Sequence, residues 1–312
     1  MPDGGVRLFL PMIDGTDRVG VLALSVRSAT AGLRDLARQI AGLVADLIVT
    51  KGAYTDAYFN ARRDRPMSLA AEMQWQLLPP LTLTTPDFAL AGILEPAYEV
   101  GGDSFDYALN GRTLHLAIID AMGHGLPAAT MATVAIGAYR HARRAGVDLG
   151  DIYELMDHAM SSQFGNDKFA TAQLGQLDVP SGVLTWVNAG HPAPLLLRDR
   201  RVVNSLDGPT TWPIGLGGKA PSARTAHLEP GDRVLFYTDG ITEERLADGA
   251  QFGGDRLREL IEHVAADGQS AHETVRRLSH RLNEARGGAT SDDATLLLVE
   301  WSGSARGISP EG

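Results

Sequence analysis

The chain has 312 residues, 44% of them hydrophobic and 21% charged, a formal net charge of −10 and no cysteine. That length accommodates one large domain plus a smaller segment, and the missing cysteine excludes disulfides, thiol catalysis and cysteine-ligated metals while fitting a reducing, cytoplasmic setting. Residues 1–65 carry nine Lys and Arg against seven Asp and Glu, and residues 66–312 carry 19 against 31, so the larger part lacks the basic footprint of a nucleic-acid binder.

No stretch reaches the 18 or so apolar residues of a membrane span, and "MPDGGVRLFL" lacks a signal-peptide pattern. "VRLFLPMIDGTDRVGVLALSV" reads as two strands joined at "DGTD". Leu33, Leu36, Ile40, Leu43, Val44, Leu47, Tyr54 and Tyr58 then recur at nearly heptad spacing over residues 33–58, with Gly42 and Gly52 weakening the helix. Such a stripe either packs on its own hairpin or pairs with a second copy to give a homodimer. Pro66 marks a break, because it drives the residue before it out of the helical region.

"MSLAAEMQWQLLPP" is a second helix, stopped at Pro79 and Pro80. Met73, Leu77 and Leu78 are spaced to bury one face, and Gln74 and Gln76 can hydrogen-bond without charge. Beyond it, strands and helices mix. "LHLAIID" is a buried strand, "LPAATMATVAIGAYRHARRAG" an internal helix and "DIYELMDHAMSSQF" an amphipathic one. "FATAQLGQLDVPSGVLTWVNAG" and "APLLLRDRRVVNSL" are hairpins, and "DRVLFYTDG" is a strand. "RLRELIEHVAAD" and "HETVRRLSHRLNEAR" are helices, and "ATLLLVEW" is a closing strand. Many hairpins with interspersed helices predict antiparallel sheets covered by helices, an α+β fold.

Four places put aspartate where an apolar run stops: Asp103 in "EVGGDSFDY", Asp120 in "AIIDAMGHG", Asp239 in "VLFYTDGITEE", and Asp292 with Asp293 in "TSDDATLLLVEW". One such residue is an ordinary turn aspartate. Four strand ends that converge would repel one another and call for a cation. Oxygen ligands favour Mn²⁺ or Mg²⁺ over softer metals, and two such ions sharing a carboxylate form a recurring arrangement for phosphate-ester hydrolysis. Glycines at 101, 102, 123 and 125 would let backbone approach the cluster.

"EVGGDSFDY", "DAMGHG", "NAGH", "YTDGITE" and "SDDAT", in this order and spacing, resemble the bacterial PPM-family protein phosphatases of the sporulation stage II protein E type, over roughly residues 68–302. That branch contains the phosphatases that control anti-sigma-factor antagonists. The resemblance implies an αββα sandwich, a binuclear Mn²⁺ or Mg²⁺ centre, and hydrolysis of phosphoserine or phosphothreonine on a phosphorylated antagonist-type protein. By motif it implies Asp103 as an early metal-site acid, Asp120 as the bridging ligand, Ala121 as a backbone-carbonyl ligand and Asp239 as the acid of "TDG". It favours Asp292 over Asp293 as the last ligand. Ser104 stands where the family usually has an aromatic. The helix at Met73, Gln76 and Leu77 corresponds to one that acts in the family as a switch on metal-site assembly.

His124 and His191 carry two readings. Each could protonate a leaving serine oxygen, since imidazole titrates in the useful range, or each could be structural. Asn188 and His191, with Gly102 and Gly123, are expected to shape the site. Residues 6–50 look like the closing hairpin and helix of a GAF sensory domain. The expected organisation is therefore 1–50 partial GAF-like, 51–78 linker and switch helix, 79–302 phosphatase, and 303–312 tail. A catalytically silent scaffold would be expected to lose metal aspartates, and all four sites are present. A small-molecule phosphomonoesterase would want a basic pocket, and residues 66–312 show no such cluster.

Overall fold

The computed structural model describes residues 6–14, 17–52, 68–95, 101–219, 222–244, 250–286 and 293–303. The chain divides into two compact units, residues 1–66 and 67–312. In the first, β1 (Val6–Asp14) and β2 (Asp17–Val26) form an antiparallel hairpin, followed by helix α1 (Ala31–Gly52). The helix lays Ala37 and Ala41 against Leu10, flanked by Leu8, Met12, Leu22 and Leu24. Small side chains let the helix approach the pleated ribbon closely, so the alanines form the buried face. Leu36, Ile40, Leu43 and Leu47 are left exposed. Tyr54, Tyr58 and Pro66 lie outside the described residues.

The larger unit begins with α2 (Leu69–Leu77). Ser68 caps it by accepting a hydrogen bond from the Ala71 amide at 3.2 Å, and Leu78 is extended ahead of Pro79. The expected burial of Met73, Leu77 and Leu78 is corrected here. Ala70, Ala71 and Gln74 are the buried face, Met73, Leu77 and Leu78 are half-buried, and Gln76 is exposed.

Two sheets follow. One runs edge to edge through β10 (Arg201–Ser205), β9 (Leu195–Arg198), β13 (Arg233–Tyr237), β14 (Ala294–Trp301), β4 (Phe88–Glu95) and β3 (Thr82–Thr84), antiparallel throughout. The other runs through β11 (Thr210–Thr211), β8 (Val183–Ala189), β7 (Ala170–Asp178), β6 (Thr113–Ala121) and β5 (Asp103–Asn110), with β12 (Arg224–His227) also paired to β8. The β11–β8 pair is parallel and the rest of this sheet antiparallel.

Period-two alternation sorts the side chains into layers. Phe105, Tyr107, Leu116, Ile118, Phe236, Leu297 and Val299 fill the space between the sheets. Ala117 and Ile119 turn outward against α3 (Gly125–Ala145) and α4 (Leu149–Phe164). On the other side Leu235, Leu296 and Leu298 meet α6 (Gly253–Ala265) and α7 (Ala271–Arg286). The result is the expected αββα sandwich of two mainly antiparallel sheets flanked by helices. The strands β3, β4, β5, β11 and β12 were not singled out by the sequence patterns.

Candidate metal centre and active site

The same alternation places the acids. Asp120 shares its phase with Leu116 and Ile118, and Asp103 shares its phase with Phe105 and Tyr107, so both point between the sheets. They stand directly opposite each other in the β5–β6 ladder, at the same end of the sheet. Asp239 opens the short helix α5 (Asp239–Thr242) immediately after β13, and Asp293 immediately precedes β14. Asp103, Asp120 and Asp239 line one cleft of ≈ 260 Å³ with Gly102, Gly123 and Thr171. Asp292 lies outside the described residues.

Burial pushes the Asp103 carboxyl well above its ordinary range, and the neighbouring charges of Asp120 and Asp293 add to the rise. The hydroxyls of Thr238 and Thr295 oppose it, each donating to Asp103 Oδ2 at 2.7 Å. Asp239 is also raised, first by burial and then by Glu243, against the amides of Gly240 and of Asp239 itself. Inward-facing carboxylates that repel in this way at Asp103 fit a hard divalent cation, which would offset the repulsion.

Gly102 supplies a second sign of fit. A Cβ on it would lie 2.5 Å from the Ala121 carbonyl oxygen and 3.5 Å from Asp120 Oδ1. The absent side chain leaves that carbonyl open beside the acids, consistent with the expected backbone role of Ala121. Gly123 adopts a φ of +85°, which turns the chain from β6 toward α3.

The two histidines lie in different settings. His124 is the exposed N-cap of α3, makes no side-chain capping bond and is not among the residues lining the cleft. His191 is buried. Its amide donates to Asn188 Oδ1 at 2.8 Å, Asn188 Nδ2 donates to its carbonyl at 2.9 Å, and its Nδ1 meets Thr171 Oγ1 at 2.7 Å. Burial lowers its pKa to about 3, with the Tyr237 carbonyl pulling the other way. A ring held neutral in this way suits the structural reading: Asn188 and His191 brace the end of β8 beside Thr171.

The sequence marks Gln74 as an uncharged hydrogen-bonding residue but reveals neither its partners nor the ion pairs that tie α2 to the site. Gln74 Nε2 donates to Asp293 Oδ2 at 2.5 Å and to the Asp103 carbonyl at 2.8 Å. Asp106, buried on β5, pairs with Arg143 at 2.7 Å and Arg140 at 3.0 Å. Arg140 also donates to the Leu77 carbonyl at 2.6 Å, joining the last turn of α2 to β5 and α3. Breaking such a buried pair costs roughly 3–5 kcal/mol.

The family model for stage II sporulation protein E (SpoIIE) matches residues 110–302. This chain belongs to the SpoIIE family. The matched segment is a protein serine/threonine phosphatase domain of the PP2C type. The chain is 22% identical to the phosphoserine phosphatase RsbU of Bacillus subtilis over 235 residues, 75% of this chain and 69% of RsbU. Its fold matches the RsbU and RsbW domains of Rv1364c from Mycobacterium tuberculosis with a TM-score of 0.59 and 31% identity, over 70% of this chain and 63% of that one. The SiaA PP2C domain of Pseudomonas aeruginosa matches with a TM-score of 0.61 and 25% identity, over 68% and 85%. In this SpoIIE-family chain no helix among the described residues is long and apolar enough to cross a membrane.

Proposed function

We propose that the chain is a metal-dependent phosphatase that hydrolyses phosphoserine or phosphothreonine on a regulatory protein of the anti-sigma-factor antagonist type. The observation that carries this reading is the facing pair Asp103 and Asp120, joined by Asp239 around one cleft beside the Ala121 carbonyl. Asp103, Asp120, Asp239, Asp292 or Asp293, and the Ala121 carbonyl would hold two Mn²⁺ or Mg²⁺ ions. Ions in such a site supply Lewis acidity toward the phosphoryl group and lower the pKa of water.

The protein's own groups set the geometry. Thr238 and Thr295 fix Asp103 through one carboxylate oxygen. Gln74 orients Asp293, and Gly102 keeps space open at Ala121. In the overall reaction a water oxygen bonds to phosphorus as the bond from phosphorus to the serine oxygen breaks, and the proton released by water balances the one taken up by serine. The antagonist-type substrate is supported by likeness to the branch that controls such proteins and by RsbU, a phosphoserine phosphatase.

The exposed stripe Leu36, Ile40, Leu43 and Leu47 follows the 4-3-4 spacing of a coiled-coil seam, which supports a homodimer through α1. In the same reading α2 is the regulatory helix, acting on Asp293 through Gln74.

The test of the enzymatic reading is chelation followed by single-metal addition, with para-nitrophenyl phosphate and a phosphoserine peptide as substrates. Activity is expected to vanish in chelator and return with Mn²⁺ or Mg²⁺. Full activity in chelator, or rescue by Zn²⁺ alone, would sink the assignment.

A further inference from the structure

From Gly102 a row of strand ends runs across the second sheet. Asp103 faces Asp120, Ala121 faces Ala170, and Ala170 exchanges backbone hydrogen bonds with Ile214 at 2.8 and 2.9 Å. The acids thus continue, strand by strand, into the segment 209–219. That segment is tied down at several points. The Tyr153 hydroxyl donates to the Trp212 carbonyl at 2.9 Å. The amides of Gly215 and Gly217 donate to Asp157 Oδ1 at 2.7 and 3.2 Å, and Thr211 Oγ1 donates to the Lys219 carbonyl at 3.2 Å.

On this anchored backbone the Trp212 side chain is 65% exposed, the one aromatic among the exposed large apolar side chains described in the larger unit. Beside it lies a groove of ≈ 520 Å³ lined by Thr211, Trp212, Leu216 and Lys219. A tryptophan on a rigid support gives up little conformational entropy when it is covered, which is why such residues dominate binding energy at interfaces.

We propose that the Trp212 groove receives an apolar side chain of the phosphoprotein substrate, flanking the phosphoserine that enters the acidic cleft. This rests on the phosphatase reading given above. The acidic cleft holds little more than a phosphoryl group and its metals, so the chain bearing the phosphate must run over the rim. The 209–219 segment extends the row of strand ends beyond β7 through the Ala170–Ile214 pair. Two strand spacings and two residues separate Trp212 from the Asp120 row, on the order of 12–15 Å, which an extended substrate spans in about four residues. Lys219 adds a cation for an acidic partner at the same groove.

The experiment compares two short phosphoserine peptides, one with leucine about four residues to either side of the phosphoserine and one with alanine there. Para-nitrophenyl phosphate serves as a third substrate, and all three are turned over by the full chain and its Trp212→Ala variant in Mn²⁺. The wild type is expected to favour the leucine peptide about tenfold in kcat/KM, the effect of filling one apolar pocket, mainly through KM. Trp212→Ala is expected to lose that preference while turning over para-nitrophenyl phosphate as before.

Equal kcat/KM for the two wild-type peptides, or a preference that survives in Trp212→Ala, overturns the proposal. So does an equal fall on all three substrates, which marks a structural role. A change in oligomeric state with no change in peptide preference assigns the groove to a second copy of the chain and overturns it as well. A wild type inactive on all three fails the phosphatase reading itself, which distinguishes the two failures.

Discussion

Gln74 Nε2 donates to Asp293 Oδ2 at 2.5 Å, across 219 positions of sequence. A helix at the start of the larger unit is thereby joined to an acid at its end, and the amide side chain is buried with no charge to repel a cation. Replacing Gln74 with Leu keeps the volume and removes the donor. Partners of this kind typically govern 10- to 100-fold of metal affinity. Gln74→Leu is therefore expected to weaken Mn²⁺ binding by about that factor, measured by calorimetry, while Gln76→Leu on the exposed face leaves it unchanged. Equal Mn²⁺ affinity in Gln74→Leu and wild type would remove Gln74 from the site.

Asp120→Asn is expected to abolish turnover without unfolding the chain. It deletes one of two facing carboxylates, so the metal-free protein should melt no lower than wild type and even gain stability from the lost repulsion with Asp103. Kinetics and melting in chelator check both halves. Retention of more than about a tenth of wild-type kcat, under ~1.4 kcal/mol of barrier, would show that Asp120 is not a core ligand.

His191 predicts a pH signature in stability rather than in catalysis. Its folded pKa of about 3 lies below the ordinary value of 6.5, so below pH 6.5 the unfolded chain binds the extra proton. The stability this neutral ring contributes is complete above pH 6.5 and is lost progressively as pH falls toward 3. At pH 5 the loss is on the order of 2 kcal/mol. His115, lowered by burial and by Arg143, acts in the same direction and remains as background. The fall of Tm from pH 7 to pH 5 should be shallower in His191→Gln than in wild type, and parallel slopes would refute the assignment.

The α1 stripe predicts self-association. Leu43, 63% exposed, sits mid-stripe, away from the alanine face that packs on the hairpin. Leu43→Glu is expected to convert a concentration-dependent dimer to monomer in sedimentation, with the helix content of α1 retained. A wild type that sediments as monomer at all concentrations would end the homodimer proposal.

Much of the site was legible because strands keep phase. Asp120 closes the apolar run of β6, so its inward direction follows from counting back to Ile118 and Leu116, and the helices and hairpins fall within a few residues of their patterns. Asp103 instead opens β5, a strand not read from the sequence, where it was expected to end one. The contacts between elements were not legible. Gln74 is buried among alanines, and a search for apolar spacing picks Met73 and Leu77 in its place. The Asp106 pairing with Arg140 and Arg143 joins a strand to a helix 34 and 37 positions away, which no local pattern encodes. In α1 the leucine stripe drew attention, while the packing face is made of alanine, too short to stand out by hydrophobicity.

The two sheets are fastened differently at their two ends. Far from the acids, the Trp301 indole donates to the Val179 carbonyl at 2.7 Å, and apolar packing holds the layers together there at any metal concentration. At the acid end the fasteners are Thr238 and Thr295 of one sheet reaching Asp103 of the other, among carboxylates that repel. If the acids hold a divalent cation as proposed, that cation should slow opening at the acid edge and leave the other edge indifferent. Hydrogen exchange should report this as Mn²⁺-dependent protection of the Ala121, Thr238 and Thr295 amides, with the Trp301 amide unchanged. Uniform protection along both edges would mean that the layers open as one body.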